Sequence, residues 1–157
     1  KNYRPILPRL HEITDRFNCH FHYTITAYGK DIEPNVPSID ESIETIKELS
    51  VLVGKEKIIW RYDPVLLTDK YTIEQHFETF DAMARRLTPY VDRCLFSFVV
   101  WYKKLHMSEL LPISEQQKDM IAKGLGEIAA KHHLYIQTCG TKESYEQYGI
   151  HNSGCMT

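Results

Sequence analysis

The chain has 157 residues, of which 43% are hydrophobic and 25% charged, and its net charge is −2. That length and balance fit one globular α/β-sized domain with a sizeable core, and they exclude a disordered or fibrous chain. The charge supplies no basic stripe for nucleic acid, no apolar run reaches membrane-spanning length, and the first residues lack a signal-peptide pattern.

In chain order, Pro5 stands near a helix start, and Ile6, Leu10, Ile13 and Phe17 recur at helical spacing behind it. His20 to Thr26 alternates in the strand period, with Phe21, Tyr23 and Ile25 on one face and His20, His22, Thr24 and Thr26 on the other. A loop with Pro34 and Pro37 follows. Ser38 and Glu41 form a capping box for a helix that buries Ile39, Ile43, Ile46, Leu49 and Val53, with Gly54 at its end. Lys57 to Arg61 is a short strand ended by Asp63-Pro64. Thr72 and Gln75 cap a third helix, with Ile73, Phe77, Phe80, Ala84 and Leu87 inward and Pro89 as its stop. Cys94 to Val100 is the most apolar strand. Ser114 and Gln117 cap the last helix, carrying Ile121, Leu125 and Ile128, and Leu134 to Thr138 is the fourth strand. The tail after Cys139 reads as loop or short helix.

The four strands recur at intervals of about 37, 37 and 40 residues, the span of one strand, one helix and two loops. Such alternation implies right-handed crossovers and a parallel sheet. A doubly wound sheet would bury both faces of its strands, yet here one face is polar: His20, His22, Thr24 and Thr26 in the first strand, Arg61 and Asp63 in the second, Tyr135, Gln137 and Cys139 in the fourth. A barrel keeps its outer face apolar under helices and tolerates a polar interior. The expected fold is therefore a partial TIM-like (β/α) barrel of about four parallel βα units. Four strands cannot close a barrel of eight, so residues 1–157 are expected to be one α/β domain, a piece of a larger barrel. The start at Lys1 without an initiator Met fits an excised piece or a processed terminus, and the excised piece is the expectation. Exposed sheet edges would otherwise pair with a second copy, making a homodimer.

Ligand sites in parallel β/α sheets lie beyond the C-terminal strand ends. That rule selects Thr24, Thr26 and Tyr28, then Arg61, Tyr62 and Asp63, then Ser97, Tyr102 and Lys103, then Thr138 and Cys139. Arg61 and Asp63 are the candidates for catalysis: a guanidinium grips a carboxylate or phosphate, and a carboxylate orients it or accepts a proton. The alternative is an ion pair closing the strand end. Glu33, held by a stiff two-proline loop, would meet a ligand hydroxyl or amine, or else simply cap a nearby helix start or stay solvated. His20 and His22 share a face as metal ligands can, but they stand at the stability end of the strand without a third ligand, and a packed pair is expected. His132-His133 end a helix, where cations offset the dipole. Gly124 and Gly126 lie inside a helical stripe and make no phosphate loop. Cys19, Cys94, Cys139 and Cys155 form no C-x-x-C pair, so no metal site is expected, and a reducing cytoplasm is the default location.

Three segments carry a resemblance: Phe21 to Pro37 (FHYTITAYGKDIEPNVP), Trp60 to Thr68 (WRYDPVLLT), and Cys94 through Ser97-Phe98 to Tyr102-Lys103-Lys104. Together they resemble a bacterial family, number 1848 of the domain-of-unknown-function series, across almost the whole chain. The resemblance implies a radical S-adenosylmethionine-like barrel, similar in organisation to spore photoproduct lyase, with the Glu33-Pro34 loop and the Arg61/Asp63-Pro64 strand end as matching parts. It further implies a [4Fe–4S] cluster and S-adenosylmethionine as cofactors of the full-length protein, held by cysteines in a C-terminal part. Those cysteines do not occur before Thr157, so these residues are expected to bind no cluster and to be inactive alone.

The expectation is thus the barrel portion of a radical S-adenosylmethionine-like iron–sulfur protein. Thr26, Tyr28, Glu33, Arg61, Asp63 and Ser97 would line a mouth for a small-molecule ligand. The alternatives are a metal-dependent β/α-barrel hydrolase and a non-catalytic binding scaffold.

Overall fold

The structure is a computed structural model that describes residues 2–100, 109–140 and 143–152. Five strands, β1 (Phe21–Thr24), β2 (Ile58–Val65), β3 (Arg93–Phe98), β4 (Tyr135–Thr138) and β5 (His151–Asn152), form one all-parallel sheet in the order β1-β2-β3-β4-β5. Four helices accompany it: α1 (His11–Thr14), α2 (Ile39–Val53), α3 (Ile73–Leu87) and α4 (Glu115–Lys131). The α/β class and the parallel sheet agree with the sequence. Among the described residues the sheet is open, however, and it has five strands where four are expected from the sequence. The fifth lies in the tail read as loop or short helix, after a short 3₁₀ turn at Glu146–Tyr148. Two residues are too few to show the strand period.

Sequential strand order with crossovers of one hand puts the helices on one side of a sheet. The packing agrees. Trp60 stacks on Phe80 of α3 at 5.0 Å and Tyr62 meets the same ring edge-on. Arg86 of α3 reaches Asp40 of α2, and Asp81 of α3 receives His132 at the end of α4. Ile43, Ile46, Leu49, Phe80, Leu87, Ile121 and Leu125 are all fully buried beneath this helix layer. Two glycines of α4 allow it to close. A Cβ at Gly124 would lie 2.3 Å from the Phe77 ring, and one at Gly126 would lie 2.3 Å from the Tyr148 carbonyl oxygen. Ser38 and Ser114 form capping boxes as expected. Thr72 accepts from the Gln75 N–H, but the Gln75 side chain turns to Thr79.

Two expectations are corrected. Of the N-terminal stripe only Leu10 is buried; Ile6, Ile13 and Phe17 are exposed, and Leu7 joins Leu10 in the core. The segment opens as a 3₁₀ helix over Arg4–Arg9 with Pro8 inside it, and three residues per turn replace the 3.6 on which the stripe was drawn. The second strand also does not end at Asp63. It runs through Pro64, with a register irregularity between Tyr62 and Val65, and pairing resumes where Val99 N–H donates to Val65 O at 2.9 Å. No helix among the described residues is long and apolar enough to cross a membrane.

Candidate functional site

The sheet face away from the helices is built in rows by the parallel register. One row crosses all five strands as Thr24, Arg61, Leu95, Gln137 and His151. The row before it, toward the strand starts, is His22, Ile59, Arg93 and Tyr135. Beyond both, at the C-terminal ends, stand Thr26, Asp63 and Ser97. Alternation alone sets this sidedness: the intervening residues Tyr23, Trp60, Tyr62, Cys94 and Phe96 are fully buried in the apolar core.

Asp63 is the centre of the mouth. One carboxylate oxygen accepts from the Arg61 guanidinium and the other from the Ser97 hydroxyl. The pair is partly shielded, with the Asp63 side chain 15% exposed and that of Arg61 32%. Three of the six expected residues are therefore in direct contact across β2 and β3. Thr26 and Glu33 form a second pair, the hydroxyl donating to Glu33 Oε2 at 2.7 Å. This bond ties the two-proline loop to the end of β1.

Tyr28 has a different place. It is buried, its hydroxyl donates to Pro64 O at 2.7 Å and accepts from Leu66 N–H at 2.8 Å, and burial pushes its phenol up. It pins the β1 loop to the end of β2. Tyr71 does similar work beside it: its hydroxyl donates to Asp31 at 2.7 Å and accepts from Gly29 N–H at 2.7 Å, while Lys70 pairs with Asp31 at 2.9 Å. A cleft of about 270 Å³ opens along that loop, lined by Tyr28, Lys30, Glu33, Pro37 and Asp40 among others.

One group of the anchoring network is missing from the residues selected by the sequence. His76, on α3, is fully buried; its Nε2 lies 2.9 Å from Leu66 O and its Nδ1 lies 2.5 Å from the Tyr62 hydroxyl. A carbonyl can only accept, so the proton is assigned to Nε2 and Nδ1 accepts from Tyr62. Burial lowers the His76 pKa. Its place on the apolar stripe, between Ile73 and Phe80, signals burial, but nothing local in the sequence names its partners.

The remaining candidates lie elsewhere. His22 is half-buried, and its pKa is lowered by burial first, then by Arg61 and Arg93. Among the described residues no three His, Cys, Asp or Glu side chains form a metal-holding group. Cys94 is buried on the helix face, with its thiol pushed up by burial, and Cys19 is a free thiol before β1. Cys139 is disulfide-bonded. The described residues thus do not fit an iron–sulfur cluster, which needs three or four thiolates together. Thr138 is buried at the end of β4, 3.4 Å from Asn152. Tyr102, Lys103 and Cys155 lie outside the described residues.

The family model described as Domain of unknown function (DUF1848) matches residues 1–157. No curated protein matches the chain. No solved structure matches it either.

Proposed function

The chain belongs to the family described as Domain of unknown function (DUF1848), and on that premise we propose that its strands are part of a β/α barrel whose inner face binds a small polar molecule. The observation that carries this reading is the sidedness of the sheet. Among the described residues α2, α3 and α4 pack on one face, and the other ends in the linked set Arg61, Asp63 and Ser97, with Thr26 and Glu33 beside it. Barrel-forming sheets share that asymmetry, and their sites lie at this end of the strands. The open edges at β1 and β5 are where further strands, or a second copy, would pair.

In this reading Arg61 grips an acceptor on the ligand, and Asp63 fixes the guanidinium in place. Ser97 holds the second oxygen of Asp63, so the carboxylate cannot swing away. Asp63 and Glu33 are the groups able to take a proton. The resemblance of the motifs to radical S-adenosylmethionine proteins supports a radical enzyme as the full-length context. There a [4Fe–4S] cluster and S-adenosylmethionine would supply the radical chemistry, while these residues bind and orient. The metal-dependent hydrolase gains no support from the described side chains.

Two measurements test the reading in parts. Anaerobic reconstitution of the full-length natural protein, followed by iron and sulfide quantification, is expected to give about four irons and a spectrum that changes with S-adenosylmethionine. A protein without iron and sulfide overturns the radical part. A small-molecule screen read by amide chemical shifts is expected to cluster its responses at Thr26, Asp63 and Ser97. Responses confined to the helix layer, or Asp63→Ala altering stability without altering any binding, would leave only a scaffold.

A further inference from the structure

Two buried side-chain N–H groups on the helix-free face have no hydrogen-bond partner: Nε of Arg61 and Nε of Arg93. Both belong to guanidiniums that are already partly engaged. Arg61 gives an Nη2 proton to Asp63, and Arg93 gives an Nη1 proton to Gln137 at 3.5 Å. Asp92 Oδ2 lies 3.3 Å from Arg93 Nε as an ion pair, out of hydrogen-bond alignment. A buried donor without an acceptor costs about 1–3 kcal/mol, so two on one face ask for an acceptor.

Their spacing suggests a shared one. Arg61 is in register with Leu95, and Arg93 is two residues before Leu95 on the neighbouring strand. From the strand separation and rise, their Cα atoms are about 8 Å apart, within reach of two long side chains converging on one group. His22 stands in the Arg93 row and feels both cations. The acids around them are already paired: Asp63 with Arg61 and Ser97, Glu33 with Thr26, and the half-exposed Asp92 with Arg93 as an ion pair out of hydrogen-bond alignment.

We infer that Arg61 and Arg93 form an oxyanion subsite on the inner sheet face that holds a phosphate group of a small ligand, directly behind the Asp63–Ser97 mouth. This deepens the mouth-site reading above and rests on it. A guanidinium presents its donors as a planar fork, and two forks at an angle suit a tetrahedral anion better than one planar carboxylate. Leu95, fully buried beside Arg61 and two residues after Arg93 on β3, gives the subsite an apolar flank that strengthens each contact.

The test is NMR titration of the protein with inorganic phosphate, and separately with acetate, in a buffer free of other oxyanions. Saturable shifts of the Arg61 and Arg93 Nε–Hε resonances with phosphate are expected, and they should be at least tenfold weaker with acetate. The His22 pKa should rise on binding, because the added anion offsets the two cations that lower it. Arg93→Lys and Arg61→Lys keep the charge but lose the fork, and each should weaken phosphate binding at least tenfold while the amide spectrum stays folded. Three results overturn the subsite: no saturation, equal binding of acetate, or an unchanged affinity in Arg93→Lys. If screened ligands instead shift Thr26 and Ser97 but neither arginine, the mouth site stands and this inference alone fails.

Discussion

Replacing Tyr62 with Phe isolates one hydrogen bond at the root of the site. The substitution keeps the ring that packs edge-on against Phe80 at 5.0 Å and removes only the hydroxyl that donates to His76 Nδ1. His76 is fully buried, so no water replaces the donor. Moving the ring proton to Nδ1 does not help, since it strands that proton and breaks the Nε2 bond to Leu66 O. Either tautomer leaves at least one buried polar group unmet, and the cheaper one, with the proton kept on Nε2, costs about 1–3 kcal/mol. Urea unfolding at neutral pH should show that loss as a lower midpoint with unchanged slope. A Tyr62→Phe protein within about 0.5 kcal/mol of the parent would refute the assigned bond. The same histidine sets a pH dependence. Its folded pKa is lowered by burial, so its neutral form contributes stability above the ordinary histidine value of about 6.5. That contribution is lost as pH falls through the lower folded value, and His76→Gln should flatten this part of the profile.

Three further outcomes are expected. Gly126→Ala brings a Cβ to 2.3 Å from the Tyr148 carbonyl oxygen, so α4 and the turn before β5 must separate; a loss of about 1–3 kcal/mol in unfolding and increased amide exchange at His151 and Asn152 would show it. Ser97→Ala frees one oxygen of Asp63 and should broaden the Arg61 Nε–Hε resonance with little change in unfolding midpoint. The Asp31 carboxyl is held down to about 2 by hydrogen bonds from Lys70 and then Tyr71. A carbon-detected titration should find it ionised well below pH 4, and Lys70→Met should move it back toward the ordinary range, the stabilising charge being present above that range and lost as pH falls through 2.

The helix layer was readable because each of its signals is local. Ser38 with Glu41 and Ser114 with Gln117 lie three residues apart, and Ile43, Ile46 and Leu49 repeat within a few turns. Strand sidedness was readable for the same reason, through alternation at Phe21, Tyr23 and Ile25. The contact of Arg61, Asp63 and Ser97 was legible only as a shared end of neighbouring strands; the bond across 34 residues depends on register. The roles of His76 and Arg93 were not legible, although the place of His76 on the α3 stripe signals burial. One looks like an interruption of an apolar stripe, and the other precedes a strand that was drawn from Cys94. The N-terminal stripe misled because Pro8 changes the winding under an unchanged spacing of residues.

The strand order has a consequence for how such a chain is built. In β1-β2-β3-β4-β5 each strand pairs only with its sequence neighbours, so no connection passes over a strand formed earlier. Every pairing closes a loop of one unit, and its entropic cost grows only slowly with length. Growth or loss of a unit at either edge therefore leaves the interior ladder intact, as in stacked repeat proteins, where stability is summed between neighbours. The sheet can assemble as a procession from one edge, each unit offering a finished template to the next, without a late long-range closure inside it.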